Sequence, residues 1–305
     1  MKPFTITFLG TGSAVPTPSR NPSSQLVKID DFHILIDCAE GTLMQLNRFN
    51  LSPMKLNYIL ISHLHGDHYH GLIGLITAMH LNGRTNPLRV AGPPGLYEII
   101  QLQLKHADTT LRFPLIFITL TEDFPQVIID ETGFSTECFA MKHRIPAWGF
   151  LIREKIVHYK IRKESIEQYG LTHSEIHSVQ KGEDVITKDG EIILNKLLTF
   201  PQPAARSYAY CSDTAFYPEL ASAIRSVNVL YHEATFSAIH AREAKATFHS
   251  TTWQAAEVAC LAGAKRLVIG HFSSRYQNIE QLRLEAVSKF MDTVSAWDGL
   301  VLSIE

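Results

Sequence analysis

Short β-like runs alternate with helical stretches along the whole chain, which predicts a large α/β or α+β fold. Its 305 residues are enough for one big domain or two ordinary ones, and no low-complexity linker divides them. An apolar fraction of 45% beside a charged fraction of 19% is that of a soluble globular protein.

The elements follow from local pattern. Phe4-Thr5-Ile6-Thr7-Phe8 alternates apolar and polar residues, so a strand is expected from Thr5 to Leu9. Further β-branched or apolar runs predict strands at His33 to Ile36, Tyr58 to Ile61, Leu88 to Ala91, Val127 to Ile129 and Glu137 to Met141. Others fall at Tyr208 to Cys211, Val227 to Tyr231 and Arg266 to Ile269. Helical spacing is clearest at Gly41 to Phe49, Leu72 to Met79, Leu96 to His106, Trp253 to Ala262 and Ile279 to Val294. Gly10-Thr11-Gly12-Ser13 is not a dinucleotide loop. Val15 stands where the third glycine should fall and Pro16 with Pro18 would obstruct a helix start, so a tight turn between strands is expected.

Other properties exclude whole classes. No apolar stretch approaches the roughly 18 residues of a membrane span, and the N-terminus lacks a signal-peptide pattern, so a cytoplasmic protein is expected. Cys38, Cys138, Cys211 and Cys260 never form a C-x-x-C pair, which argues against both a disulfide framework and a thiolate zinc site. A formal net charge of −2 gives no global attraction to nucleic acid, so a polyanionic partner needs a local patch.

Chemistry concentrates at His63, His65, Asp67 and His68, directly behind the apolar run Leu56 to Ile61. Three imidazoles and a carboxylate crowded at a strand end have the ligand types of a divalent metal site. Three other runs end the same way: Glu137 to Met141 leads to His143, Ser207 to Ser212 to Asp213, and Arg266 to Gly270 to His271. Each alone could be a hydrogen-bonded turn residue; strands that deliver them from one sheet edge could hold them in a fixed polygon. Seven candidate ligands exceed the need of one tetrahedral zinc, so two metals sharing a carboxylate is the economical count.

The His-x-His-x-Asp-His word, followed by isolated His, Asp and His residues, resembles the metallo-β-lactamase superfamily. Phe8-Leu9-Gly10-Thr11-Gly12-Ser13, Ile36-Asp37-Cys38-Ala39-Glu40-Gly41-Thr42, His232-Glu233-Ala234-Thr235, His249-Ser250-Thr251 and His271-Phe272-Ser273-Ser274-Arg275-Tyr276 narrow the likeness. Together they resemble the short form of ribonuclease Z, the tRNA 3′-processing endonuclease, from the first strand to about Tyr276. The resemblance implies an αββα sandwich of the α+β class, with two β-sheets face to face and helices outside. It also implies one domain over 1–305 with a protruding tRNA-binding arm inserted at about 150–182.

By the same resemblance each subunit holds two Zn2+: one on His63, His65 and His143, the other on Asp67, His68 and His271, with Asp213 as bridge. Metal-activated hydroxide would attack phosphorus, Asp67 would accept its proton, and His249 oriented by Glu233 would protonate the departing 3′ oxygen. The plainer reading of that pair is that His249 closes the start of a helix that Ser250-Thr251 can cap, while Glu233 pairs with a surface Lys or Arg. The implied partners are precursor tRNA and a second copy of the chain, with no membrane. A hydrolase of another small phosphodiester, a thioester or a lactam, and a catalytically silent RNA-binding scaffold, are the alternatives.

For substrate contacts, Arg153 to Lys163 carries Arg153, Lys155, Lys160, Arg162 and Lys163 against one acidic residue, where the family's arm grips tRNA. Alternating Val157, Tyr159 and Ile161 suit an ordinary solvated hairpin equally well. The Gly-Pro-rich tip common in the family is replaced by Gly170-Leu171-Thr172-His173-Ser174-Glu175-Ile176-His177. In the loop resembling the one that positions the tRNA 3′ end, Pro18 replaces the usual lysine, leaving Arg20 for a phosphate and Asn21 for a base or sugar edge. Arg275 in the last motif is a further candidate.

Overall fold

The computed structural model describes residues 3–155, 158–187, 190–202 and 204–305. The first half builds β1 (Phe4–Gly10), β2 (Ser24–Ile29), β3 (Phe32–Ile36), α1 (Thr42–Arg48), β4 (Tyr58–Leu60), α2 (Gly66–Tyr69), α3 (Leu72–Leu81), β5 (Leu88–Gly92), α4 (Leu96–His106) and β6 (Leu115–Thr119). The second builds β7 (Gln126–Asp130), β8 (Phe134–Met141), β9 (Ala147–Glu154), α5 (Lys163–Tyr169), α6 (His173–Gln180), β10 (Val185–Ile186), β11 (Ile192–Ile193), α7 (Asn195–Leu198) and β12 (Ser207–Cys211). It continues through α8 (Leu220–Ala223), β13 (Val229–Glu233), α9 (Ala241–Thr247), α10 (Thr252–Ala262), β14 (Arg266–Gly270), α11 (Glu280–Val287), β15 (Thr293–Ser295) and β16 (Val301–Ser303).

Among the described residues two seven-stranded sheets form, ordered β16-β1-β2-β3-β4-β5-β6 and β15-β14-β13-β12-β9-β8-β7. Pleat alternation explains why they stack. Ile34 and Ile36 of β3, Tyr58 and Leu60 of β4, and Tyr208 and Tyr210 of β12 enter one shared core between the sheets. Leu35 and Ile59 point the other way, into a second core beneath α1, α3 and α4. Ala209, Cys211 and Leu230 pack outward against α10 and α11. The result is the α+β sandwich with helices on both outer faces that the family resemblance implies. Burying each large apolar side chain contributes about 1.5–3 kcal/mol, and polar ties fix the layers' register: Tyr210 donates across the gap to Asp37 (2.6 Å) and the Trp148 N–H to the Ser62 carbonyl (3.0 Å).

Several expectations need correction. Gly10-Thr11-Gly12-Ser13 is no tight turn: β1 ends at Gly10 and the chain reaches β2 only at Ser24. A β-carbon at Gly10 would fall 1.8 Å from the Pro22 carbonyl oxygen, so the glycine serves close backbone approach. The strand expected at Val227 to Tyr231 is shifted to Val229–Glu233, which makes Glu233 its last residue. The last helix stops at Val287, because the chain must turn to add Thr293–Ser295 beside β14. The apolar runs of β2 and β9, unflagged in the sequence, pair on both sides inside their sheets.

Between β9 and β12 lies an insert with a small core of its own, made by Leu171, Val179, Val185, Ile193 and Leu198. Its elements run past Gly182 to Leu198, because Asn195 donates to the carbonyls of Val179 (2.7 Å) and Glu183 (3.1 Å) and ties the far end to the near one. Thr172 and Glu175 form a capping box that starts α6, so the unusual tip sequence codes a helix. Of the solvated hairpin considered for the basic run, Ile156 and Val157 lie outside the described residues. From His158 onward the chain leads into α5 rather than back along β9.

Candidate metal and catalytic centre

Strands β3 and β4 run parallel, as do β12, β13 and β14, and β8 shares the direction of β12 across the antiparallel β9. Their C-terminal ends deliver Asp37, the His63–His68 segment, His143, Asp213, Glu233 and His271 to one edge of the sandwich. The single turn of α2 places Asp67 and His68 on the same side as His63 and His65.

Three groups of close donor atoms result: His63, His65, His143 and Asp213; Asp67, His68, Asp213 and His271; and a smaller one of Glu233, His249 and His271. His65 Nδ1 lies 3.1 Å from both His63 Nε2 and His143 Nε2. In the second group His68 Nε2 is 3.3 Å and His271 Nε2 3.2 Å from Asp213 Oδ1, and His271 Nε2 is 3.4 Å from Asp67 Oδ2. Tetrahedral bonds of about 2.0–2.1 Å would separate ligand atoms by about 3.3 Å. Asp213 turns Oδ2 toward His63 (3.6 Å) and Oδ1 toward His68 and His271, one oxygen per group.

The donor atoms fit a divalent cation. His68 Nε2, His271 Nε2 and Asp213 Oδ1 are buried without a hydrogen-bond partner, a costly arrangement unless they bind something. Burial and the neighbouring His68 hold His63 well below the ordinary imidazole pKa, leaving a free lone pair. Burial opposes the charge on Asp213, but His271, His68 and His63 outweigh it and keep the carboxyl well below its usual range. His68 is the converse: against burial, Asp213, Asp37 and Asp67 push its pKa well above ordinary, a demand for positive charge that a metal ion would meet.

The surrounding bonds fix each ligand. His143 Nδ1 donates to the Phe248 carbonyl (3.0 Å), which leaves Nε2 as ligand atom. The Ala14 N–H holds Asp67 Oδ2 at 2.7 Å. Asp37, buried and with φ +55°, accepts from His68 Nδ1 (2.7 Å), the Ser62 N–H (2.7 Å) and the Tyr210 hydroxyl. Sequence reasoning assigned Asp37 no role, although it ends the apolar run of β3 just as Asp213 ends that of β12. Asp37→Ala should weaken metal binding about 10- to 100-fold in a metal titration, the range for a lost supporting carboxylate; unchanged affinity would remove Asp37 from the centre.

Beside the two groups lies a carboxylate–imidazole pair. His249 Nδ1 is 3.1 Å from Glu233 Oε1, and fully buried Glu233 also accepts from the N–H groups of Ser250 (2.8 Å), Thr235 (2.9 Å) and Thr214 (3.2 Å). The Thr235 hydroxyl donates to Glu233 Oε2 (2.8 Å) and is 2.9 Å from His271 Nδ1, linking the pair to a candidate ligand. Burial lowers the His249 pKa, but Glu233 and then Asp213 overcome this and raise it to about 9. The surface ion pair considered for Glu233 is absent among the described residues, and Thr251, of the Ser250-Thr251 pair suited to start the helix, caps α10 and accepts from the Gln254 N–H.

The proposed substrate contacts fare differently. Arg20 is buried and donates to the Tyr276 carbonyl (2.8 Å), and Asn21 is held by Asp298 through both backbone and side chain. These bonds lock the long loop onto the sandwich and occupy the Arg20 guanidinium with backbone carbonyls. Lys155 pairs with Asp130, while Lys160 and Arg162 lie over the Phe200 ring at 5.5 and 5.4 Å. Arg153, next to last in β9, reaches the Arg225 carbonyl (3.4 Å), Lys163 opens α5, and Arg275 stacks on Phe236 at 4.9 Å. Four of the five cations thus find partners within the chain, and Lys155, Lys160 and Lys163 stay exposed to solvent. A cation missed by sequence reasoning, exposed Arg144, sits 3.2 Å from His65 Nε2 and lines the cleft over the centre, about 510 Å³ in volume. Its signal was adjacency to His143.

Three comparisons bear on this geometry. A family model described as Anti-Pycsar protein Apyc1 matches residues 4–158, which include His63 to His143 but stop short of Asp213, Glu233, His249 and His271. The ribonuclease Z of Bacteroides fragilis is 40% identical over 304 residues and covers 100% of both chains. The crystal structure of the short form of human tRNase Z superposes with a TM-score of 0.72 at 28% identity, covering 99% of each chain. YhfI from Bacillus subtilis, a metallo-β-lactamase fold protein, gives 0.71 at 18% identity over 99% of this chain and 100% of its own, which bears on the fold alone.

Proposed function

The chain belongs to the ribonuclease Z family, and from that premise we propose a zinc-dependent endoribonuclease that removes 3′ trailers from precursor tRNA, leaving a tRNA 3′-hydroxyl and a 5′-phosphorylated trailer. The observation that carries the reading is Asp213 shared between two ligand groups with the His249–Glu233 pair alongside. Soft and borderline divalent ions suit this imidazole-rich donor set, and zinc, two ions per subunit, is the choice we favour. Bound there, such ions supply Lewis acidity and an acidified water.

The chain's own residues do the rest. Four protein donors keep Glu233 anionic, so it fixes the His249 tautomer and its charge. With a pKa near 9, His249 is protonated at neutral pH and can hand a proton to the leaving 3′ oxygen. Asp67, fixed by the Ala14 N–H, faces the same cleft and is placed to take a proton from the attacking water.

We take the chain as one catalytic domain with the insert as a substrate arm. A homodimer is favoured by the exposed cross-strand pair Ile186 and Ile192 on that insert, apolar surface suited to a second copy. Free thiols at Cys38, Cys138, Cys211 and Cys260 suit the cytoplasm, and no described helix is long and apolar enough to cross a membrane. The second reading is a hydrolase of other small phosphodiesters, for which the two ligand groups would suffice without the His249–Glu233 pair. Parallel rates on a 3′-extended tRNA and on a 3′,5′-cyclic mononucleotide decide between them. Faster turnover of tRNA is expected; preference for the cyclic mononucleotide would reject the first reading.

A further inference from the structure

Four non-glycine residues bordering the centre adopt left-handed backbone: Ala14 (φ +61°), Asp37 (+55°), Phe248 (+57°) and His271 (+58°). Such conformations cost free energy and persist where surroundings demand them. Three have evident reasons: Ala14 turns its N–H to Asp67, Asp37 aims its carboxylate at His68, and His271 is a candidate ligand.

Phe248 is only half explained. Its carbonyl must face His143 Nδ1 (3.0 Å), but glycine would present that carbonyl with less strain. The chain instead places a phenylalanine there, 37% exposed, among the residues that line the cleft between Thr247 and His249. The ring belongs to none of the apolar cores and stacks on no other ring among the described residues. Exposing a large aromatic at a strained position is unfavourable for the free protein, so the ring's use is expected in a complex.

We infer that the Phe248 ring at the cleft mouth is the platform on which a nucleobase next to the scissile phosphodiester stacks, making Phe248 a specificity-determining residue for RNA. Every base offers a π face, so the contact tolerates different bases beside the cut. Its place directly before His249 puts the stacked nucleotide next to the proton donor, and the Arg144 guanidinium in the same cleft can meet a neighbouring phosphate. This inference rests on the RNA-cleaving reading above.

Phe248→Gly keeps the left-handed backbone and the carbonyl bond to His143 while removing the ring; Phe248→Trp keeps a π face. Steady-state constants are measured for each on a 3′-extended tRNA and on bis(p-nitrophenyl) phosphate, with metal content alongside. The glycine variant is expected to raise KM for the tRNA about 5- to 150-fold more than for the small ester. Tryptophan is expected to restore tRNA binding. Equal losses on both substrates, an unchanged tRNA KM, or failure of tryptophan to restore it would overturn the inference while leaving the function intact. A wild-type protein that hydrolyses the small ester but never the tRNA would overturn both.

Discussion

Asp213→Ala is expected to lose bound metal and cleavage together, because Asp213 is the only described residue in both histidine-rich ligand groups. It presents Oδ2 to His63 at 3.6 Å and Oδ1 to His68 and His271 at 3.3 and 3.2 Å. Without it each group loses a ligand, and five buried or half-buried imidazoles face one another with one fewer carboxylate between them. Metal ions supply several kcal/mol of transition-state stabilisation, so the rate should fall about 10³-fold or more. Asp213→Asn preserves volume and separates loss of charge from loss of packing. Metal analysis beside a thermal melt reads the result: a folded protein with little metal supports the shared role, and a fully loaded Ala variant contradicts it.

His249→Ala is expected to slow precursor cleavage about 10²- to 10⁴-fold, the range for a lost general acid, with metal content near normal. The two losses separate because His249 lies outside both groups that share Asp213; its close partners are Glu233 at 3.1 Å and, in a third group, His271. The pH profile adds a second readout. A general acid works while protonated, so the wild-type rate should decline as pH rises through about 9. Glu233→Gln removes the charge that raises this pKa, so the decline should move to lower pH. An unshifted alkaline limb in Glu233→Gln would remove the pair from proton transfer, as would undiminished cleavage by His249→Ala.

Much of the centre was legible because parallel strands end on the same side. An apolar run followed by His or Asp marks such an end, and His63 to His68, His143, Asp213 and His271 all carry that mark. Asp37 carries it too, yet a single acid after a short strand is common, and only contact with His68 reveals its task. Glu233 was placed beyond its strand because no turn residue separates it from Tyr231, and the sheet absorbed it.

The internal partners of the candidate substrate residues read least well. Arg20 looks like a phosphate ligand in sequence, but its guanidinium satisfies carbonyls in the loop after β14, a contact 256 residues away that no local pattern encodes. Lys160 and Arg162 likewise find Phe200, which lies at the far end of the insert. Phe248 was invisible for another reason: left-handed backbone announces itself through glycine or asparagine, and phenylalanine gives no such signal.

The most direct test is to incubate metal-defined protein with a 3′-extended tRNA and map both new ends, with and without chelator. A single metal-dependent cut leaving a 3′-hydroxyl on the tRNA and a 5′-phosphate on the trailer is the predicted result. Cleavage that survives chelation, or a cyclic phosphate or 3′-phosphate on the tRNA, would contradict it.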